Sequence, residues 1–327
     1  MKKQDTELVF KPQEIRRHIT LINNKFFGND KGRYGYVLED GINNLYEPIR
    51  DEALKYFEEN NISWWGDDKK YPTGNTLSSQ IACLNHLMFL RQRPDAVLAL
   101  INGLDSVKFT KVLPIPCDKD TSFIAFEVIS DNSYLNETEH IRGSYCTSID
   151  ALIYAEDTNG ENWIIPIEWK YTETYDDNPE DDKSLKDYSY GKGQHGKGKV
   201  RMRRYNNLIT KSQQLKSLDN YESSIYYFEP FYQLMRQTLW AEQMIINKGT
   251  ERIKADHYLH IHVVPTANTD LLDKTYRVSN QKMEDSWRSM LNDPSKYKII
   301  NPQALMNPIR NMLPELYNYL ESRYYSI

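Results

Sequence analysis

The sequence predicts an α/β protein in which helices lead into a block of strands and then return. Three observations carry this. A helical spacing of apolar residues runs from about residue 12 to 104. Four segments rich in branched and aromatic residues, separated by polar turn residues, fill 106 to 173. An amphipathic pattern then reappears at Pro230 to Asn247.

The elements follow in order. Glu14 to Phe26 and Leu45 to Glu59 have helical spacing. Thr76 to Leu90 begins behind a Gly74-Asn75 break, and Asp95 to Leu104 behind Pro94, a residue suited to a first helical turn. The segments VKFTKVLPI, TSFIAFEVIS (121–130), TSIDALIYAE (147–156) and NWIIPIEWKYTE (162–173) read as strands. Pro230 to Asn247 places Phe231, Leu234, Met235, Leu239, Met244 and Ile245 on one face, and HYLHIHVVP (257–265) reads as a further strand. Residues 282–327 read as two or three tail helices.

Composition bounds the function. With 39% hydrophobic and 27% charged residues, the 327-residue chain can bury a core and is not disordered. A formal net charge of -5 argues against non-specific coating of nucleic acid, but it averages over faces. Cys83, Cys117 and Cys146 lack the CxxC spacing of a thiolate zinc site and are too few for a disulfide framework, so they read as buried thiols. There is no run of about 18–20 apolar residues and no apolar stretch near the N-terminus, so the expectation is no membrane span and a cytoplasmic protein. The sharpest charge reversal lies where five acids in 176–182 give way to eight Lys and Arg in 183–204, against the single acid Asp187. That segment, with its glycines, reads as a basic loop.

Chemistry points to Asp150, Glu168 and Lys170. Side chains alternate across a strand, so Glu168 and Lys170 emerge on one face while Ile167 and Trp169 emerge on the other. Charges in an apolar strand are costly unless paired or metal-bound. The turn decides whether Asp150 joins them. A two-residue Asn159-Gly160 loop would set Asp150 opposite Trp169. A three-residue Thr158-Asn159-Gly160 loop, with Gly160 left-handed, sets it opposite Glu168. The second register is expected. Opposed carboxylates repel unless a cation lies between them, which implies a divalent metal, Mg²⁺ by its preference for oxygen ligands.

These residues resemble the D…(D/E)xK signature of the PD-(D/E)xK nuclease superfamily, in its bacterial restriction-endonuclease-like branch. The likeness rests on Ser78-Ser79-Gln80 with Asn85, Thr147-Ser148-Ile149-Asp150, Glu168-Trp169-Lys170-Tyr171-Thr172-Glu173 and Gln233-Leu234-Met235-Arg236. It implies an αβββαβ core, a mixed central sheet flanked by helices, over 76–267. Helical extensions at 1–75 and 268–327 would complete the chain. It also implies a metal-dependent DNA endonuclease in which Asp150, Glu168 and the backbone carbonyl of Trp169 bind Mg²⁺, for which Mn²⁺ would substitute. Lys170 would orient or deprotonate the attacking water. Glu127 is offered as the further acid that some members use for a second metal, and Gln233 or Arg236 as a phosphate contact from the facing helix. Two positions depart from the pattern: Ile149 stands where the family has proline, and Pro166 interrupts the strand before Glu168.

The resemblance also implies DNA as partner, and duplex cleavage would favour a homodimer. In that light the basic loop, with Tyr188, Tyr190 and Tyr205 among its cations, reads as a nucleic-acid contact led by Lys199, Arg201, Arg203 and Arg204. Other readings stand beside these. A non-catalytic nucleic-acid-binding module on the same fold is the alternative function, and a structural ion-pair network the third. His257, His260 and His262 read as ordinary strand histidines, for want of a third ligand at zinc spacing. Trp64 and Trp65 read as packing residues rather than a base-stacking platform.

Overall fold

The computed structural model describes residues 9–66, 68–116, 121–137, 140–142, 146–175, 197–221 and 224–325, with the side chains of 197–199 left aside. The helices are α1 (Phe10–Asn23), α2 (Arg50–Glu59), α3 (Ser79–Leu87) and α4 (Pro94–Asn102). Strands β1 (Phe109–Val112), β2 (Ile115–Pro116), β3 (Thr121–Ser122), β4 (Ile124–Val128), β5 (Ile149–Asp157) and β6 (Asn162–Trp169) follow. Then come α5 (Lys197–Lys211), α6 (Phe231–Ile246), β7 (His257–Tyr258) and β8 (His260–Val263). The chain closes with α7 (Thr269–Leu272), α8 (Met283–Arg288), β9 (Tyr297–Ile300), α9 (Pro302–Met306) and α10 (Pro314–Leu320).

One mixed sheet organises these elements. Its order is β1-β5-β6-β8-β9, with β4 also on β5 and β7 also on β6. The β4-β5-β6 part is antiparallel, whereas β7 and β8 join β6, and β9 joins β8, in parallel. Two apolar layers sandwich the sheet. Ala151, Ile153, Ile165, Ile167, Trp169 and Ile261 pack against the helices of the N-terminal hundred residues and against Leu316, Tyr317 and Leu320 of α10. Leu152, Tyr154 and Ile164 pack against α5 and α6 through Tyr205, Ile209, Leu234, Leu239 and Trp240. Helix α3 is buried beyond its first two residues. Its Ile81 through Leu87 are all buried, and Ser78 caps it by accepting the Ile81 N–H at 3.4 Å.

The β5-β6 hairpin has the three-residue register. Ala151 opposes Ile167, Leu152 opposes Pro166, and the ladder continues to Glu156 opposite Asn162. Gly160 takes the left-handed conformation at φ +80°, and the Gly160 N–H closes the turn on the Asp157 carbonyl at 3.3 Å. Pro166 does not break the strand. On the parallel side, β7 pairs with Trp163 and Ile164 while β8 pairs with Ile167 to Trp169, and the proline falls in the interval, where no N–H is needed.

Two expectations are corrected. The tail is not all helical: β9 extends the sheet in parallel, with Tyr297 opposite His260 and Ile299 opposite His262. The basic loop ends earlier than expected, because Lys199, Arg201, Arg203 and Arg204 belong to helix α5, while residues 183–196 lie outside the described residues. Of the cysteines, Cys83 is buried and Cys146 half-buried, and Cys117 lies outside the described residues.

Candidate active site

The register of three strands lines up three carboxylates. Along β4 and β5, Phe126 opposes Ala151 and Val128 opposes Ile149, which sets Glu127 level with Asp150. The β5-β6 register sets Asp150 level with Glu168, and β8 continues the row with His262 opposite Glu168. Glu127 sits at φ +49°, a left-handed conformation rare for glutamate and costly in mid-strand. That residue buckles β4 at the row of acids.

A cleft of about 540 Å³ opens on this row. Its walls include Glu127, Asp150, Glu168, Trp169, Lys170, Gln233, Arg236 and Arg204, joined by Gln80 and Gln237. Each acid has its own tether. Asp150 Oδ2 accepts the backbone N–H of Trp169 at 2.8 Å. Glu168, buried, pairs through Oε1 with Lys170 Nζ at 2.5 Å and accepts from Gln237 Nε2. Glu127 Oε1 accepts from Gln80 Nε2 at 2.9 Å. Helix α6 thus carries two glutamines one turn apart with separate tasks: Gln233 accepts from Lys170 Nζ, and Gln237 holds Glu168 and lies 2.8 Å from His260 Nε2.

The electrostatics follow from crowding. Burial pushes Asp150 well above the usual carboxylate range, and the charges of Glu168 and Glu127 push the same way, against Lys170 and the Trp169 N–H. Burial also lifts Glu127 to about 7, opposed by the Gln80 hydrogen bond and aided by Glu168. Lys170 goes up as well: burial works against its charge, but Glu168, Tyr175, Glu173 and Asp150 outweigh it, so the ammonium is firmly protonated.

A divalent cation between Asp150 and Glu168 would remove this repulsion. Two carboxylates and one strand carbonyl, with water for the rest, suit Mg²⁺, which keeps several waters. Among the described residues, no three Asp, Glu, His or Cys side chains form a ready-made cage.

The basic residues separate into groups. Arg204 and Arg236 line the cleft. Arg236 reaches Glu137 Oε1 at 3.7 Å and lies over the Tyr232 ring, with its centroid 4.8 Å away. Arg201 is built into the fold: Nη1 donates to the Tyr227 carbonyl at 2.6 Å, and the guanidinium sits 3.7 Å from the Tyr232 centroid. Arg203 is exposed on α5 away from the cleft lining, and the Lys199 side chain lies outside the described residues.

The histidines of β8 are buried and partnered inside the fold. Burial pushes His260 down to about 4, and His262 well below its usual value, with Lys170 adding to the latter effect. His262 Nδ1 lies 2.9 Å from the Tyr297 hydroxyl. Asn85 holds the N-terminal region to the tail, accepting the Tyr46 N–H at 2.7 Å and donating to the Tyr324 hydroxyl at 2.9 Å. Trp64 is a packing residue, stacked on Phe57 at 3.9 Å. Trp65 is not, since it is 55% exposed and lines the cleft.

Sequence reasoning passed over Gln237, read Trp65 as a packing residue, which its exposure corrects, and placed Gln80 only within a motif. A glutamine on a polar helix face gives no signal of its own. The i, i+4 pair Gln233 and Gln237 beside a charged strand is the pattern that would have found the second.

A model of the protein family described as Restriction Endonuclease associating with ARP matches residues 16–325. No curated protein and no solved structure matches the chain.

Proposed function

The chain belongs to the family of restriction endonucleases associating with ARP, and from that premise we propose that it is a metal-dependent DNA endonuclease acting through Asp150, Glu168 and Lys170. The observation that carries the reading is the alignment of Asp150 with Glu168 across the hairpin, with Lys170 ion-paired beside them at 2.5 Å in a cleft. The chain order α3, β4, β5, β6, α6, β8 further supports a PD-(D/E)xK core within 76–267, the segments 1–75 and 268–327 being its extensions.

In this reading Asp150, Glu168 and the Trp169 carbonyl hold Mg²⁺, with Mn²⁺ able to replace it. When bound, the cation supplies Lewis-acid stabilisation of the scissile phosphate. Lys170, positioned by Gln233, orients the attacking water and offsets charge on the five-coordinate phosphorus as water enters in line with the leaving oxygen. Gln237 keeps the second carboxylate of the pair aimed at the cleft. Glu127 stands ready as a further acid at the edge of the row. Arg236 and Arg204 face the flanking phosphates.

Incubating the purified chain with plasmid, linear duplex and single-stranded DNA in Mg²⁺ or in EDTA tests this. Cleavage in Mg²⁺ that is lost in EDTA and in Lys170→Ala supports the reading. DNA binding that is indifferent to metal, with no cutting, would assign the chain to a binding module instead.

A further inference from the structure

A second cavity, of about 350 Å³, adjoins the acidic cleft and shares Trp65, Ser79, Lys170 and Gln233 with it. Three aromatic residues, Tyr36, Trp65 and Tyr175, line it, together with Lys11 and Glu173. The Tyr175 ring centroid lies 6.0 Å from Lys170 Nζ, so the cavity begins where the reacting phosphate would sit.

Trp65 is the unusual feature. An indole this large is normally covered, yet it stands 55% exposed. Its backbone is nonetheless fixed. Trp64 before it is buried on Phe57, and the Trp65 N–H donates at 2.9 Å to Gln80 Oε1, the same side chain whose Nε2 holds Glu127. The backbone that carries the indole is therefore anchored beside the carboxylate row, while the side chain is largely open to solvent. An exposed aromatic on an anchored backbone beside a cationic site is what sequence-tolerant stacking of a base requires.

Resting on the nuclease reading above, we propose that this cavity receives one unpaired nucleobase of the strand being cut, stacked on Trp65 next to the scissile phosphate. A base inside a regular duplex cannot enter a pocket of this kind without leaving its stack, so the favoured substrate is single-stranded DNA or DNA with an extruded nucleotide at the cut.

The test is kcat/KM for a labelled single-stranded deoxyoligonucleotide in Mg²⁺, measured for wild type, Trp65→Ala and Trp65→Phe, with a series of oligonucleotides carrying one abasic site at successive positions. Loss of one stacked base corresponds to about a 5- to 150-fold drop for Trp65→Ala, with most activity retained in Trp65→Phe. An abasic site at one position beside the cut should lower wild type by a similar factor and leave Trp65→Ala no worse. Trp65→Gln repeats the measurement should the alanine variant fail to fold. Wild type that cuts while Trp65→Ala matches it, or that cuts only fully paired duplex, overturns the subsite alone. Wild type that cuts no DNA at all overturns the nuclease reading and the subsite with it.

Discussion

Asp150 accepts the backbone N–H of Trp169, the residue between Glu168 and Lys170, at 2.8 Å. One aspartate is thereby bound to the segment that carries the other two charged groups, and β5 and β6 stay in contact one step beyond Ala151 and Ile167. Asparagine can accept the same N–H without the charge. Asp150→Asn should therefore leave the metal-free melting temperature level or raised, because it relieves repulsion from Glu168 and Glu127. Asp150→Ala strands a buried N–H and should cost about 1–3 kcal/mol. Thermal unfolding of the two variants checks this, and an alanine variant as stable as the asparagine variant would contradict it.

Gln237 links Glu168 to His260. His260 is held neutral, so its Nε2 serves as the N–H donor to the glutamine oxygen, which in turn aims the amide N–H at the carboxylate. Gln237→Leu removes both partners and should weaken Mn²⁺ binding by about 10- to 100-fold. Calorimetric titration of the variant would read this; an unchanged affinity would reduce Gln237 to a packing residue.

The pH dependence has a worked sign. Burial, with Glu168, raises Glu127 from 4.5 to about 7, so the folded state favours its protonated form. That stability is complete below pH 4.5 and is lost as pH rises through 7. A cation that neutralises the row restores it. Mg²⁺ should raise the melting temperature more at pH 8 than at pH 6, and equal shifts at both would count against a metal at these acids. On the acid side, burial holds His86 at about 3 against a usual 6.5. Its contribution is present above 6.5 and lost as pH falls toward 3, at about 1.4 kcal/mol per unit of separation.

The arginines of α5 should behave differently from one another. Arg204 lines the cleft, so Arg204→Ala should lower the salt slope of DNA binding by about 0.9, the increment for one phosphate no longer neutralised. Arg201 is tied to the Tyr227 carbonyl and the Tyr232 ring, so Arg201→Ala should cost about 1.5–3 kcal/mol of stability, with a smaller change in slope. A salt series and a denaturant titration on each variant separate the two effects; the reverse pattern would sink the assignment.

Much of this arrangement was legible in the amino-acid sequence because it follows from period-2 alternation and one turn. Thr158-Asn159-Gly160 alone decides that Asp150 meets Glu168 rather than Trp169, and Gly160 occupies the left-handed position that this turn requires. The strand at Tyr297–Ile300 was not legible, since four residues behind a proline turn carry too little periodicity to separate strand from helix. Helix α5 hid behind the glycines and charges at its start, which read as a turn. Glu127 could be seen as an acid in a strand, but its left-handed backbone and its place in the row depend on tertiary contacts with β5 and Gln80. Trp64 and Trp65 differ in fate, the first stacked on Phe57 and the second exposed just before Gly66 at φ +126°, and adjacent identical residues carry no signal of which is covered.

The account depends on Asp150 and Glu168 holding a single cation beside Lys170. Titrating Mn²⁺ into wild type, Asp150→Asn and Glu168→Gln by calorimetry, with folding of each checked by thermal unfolding, tests this most directly. Saturable binding by wild type that both folded variants lose is the predicted result. No binding by wild type, or the same binding in all three, would contradict it.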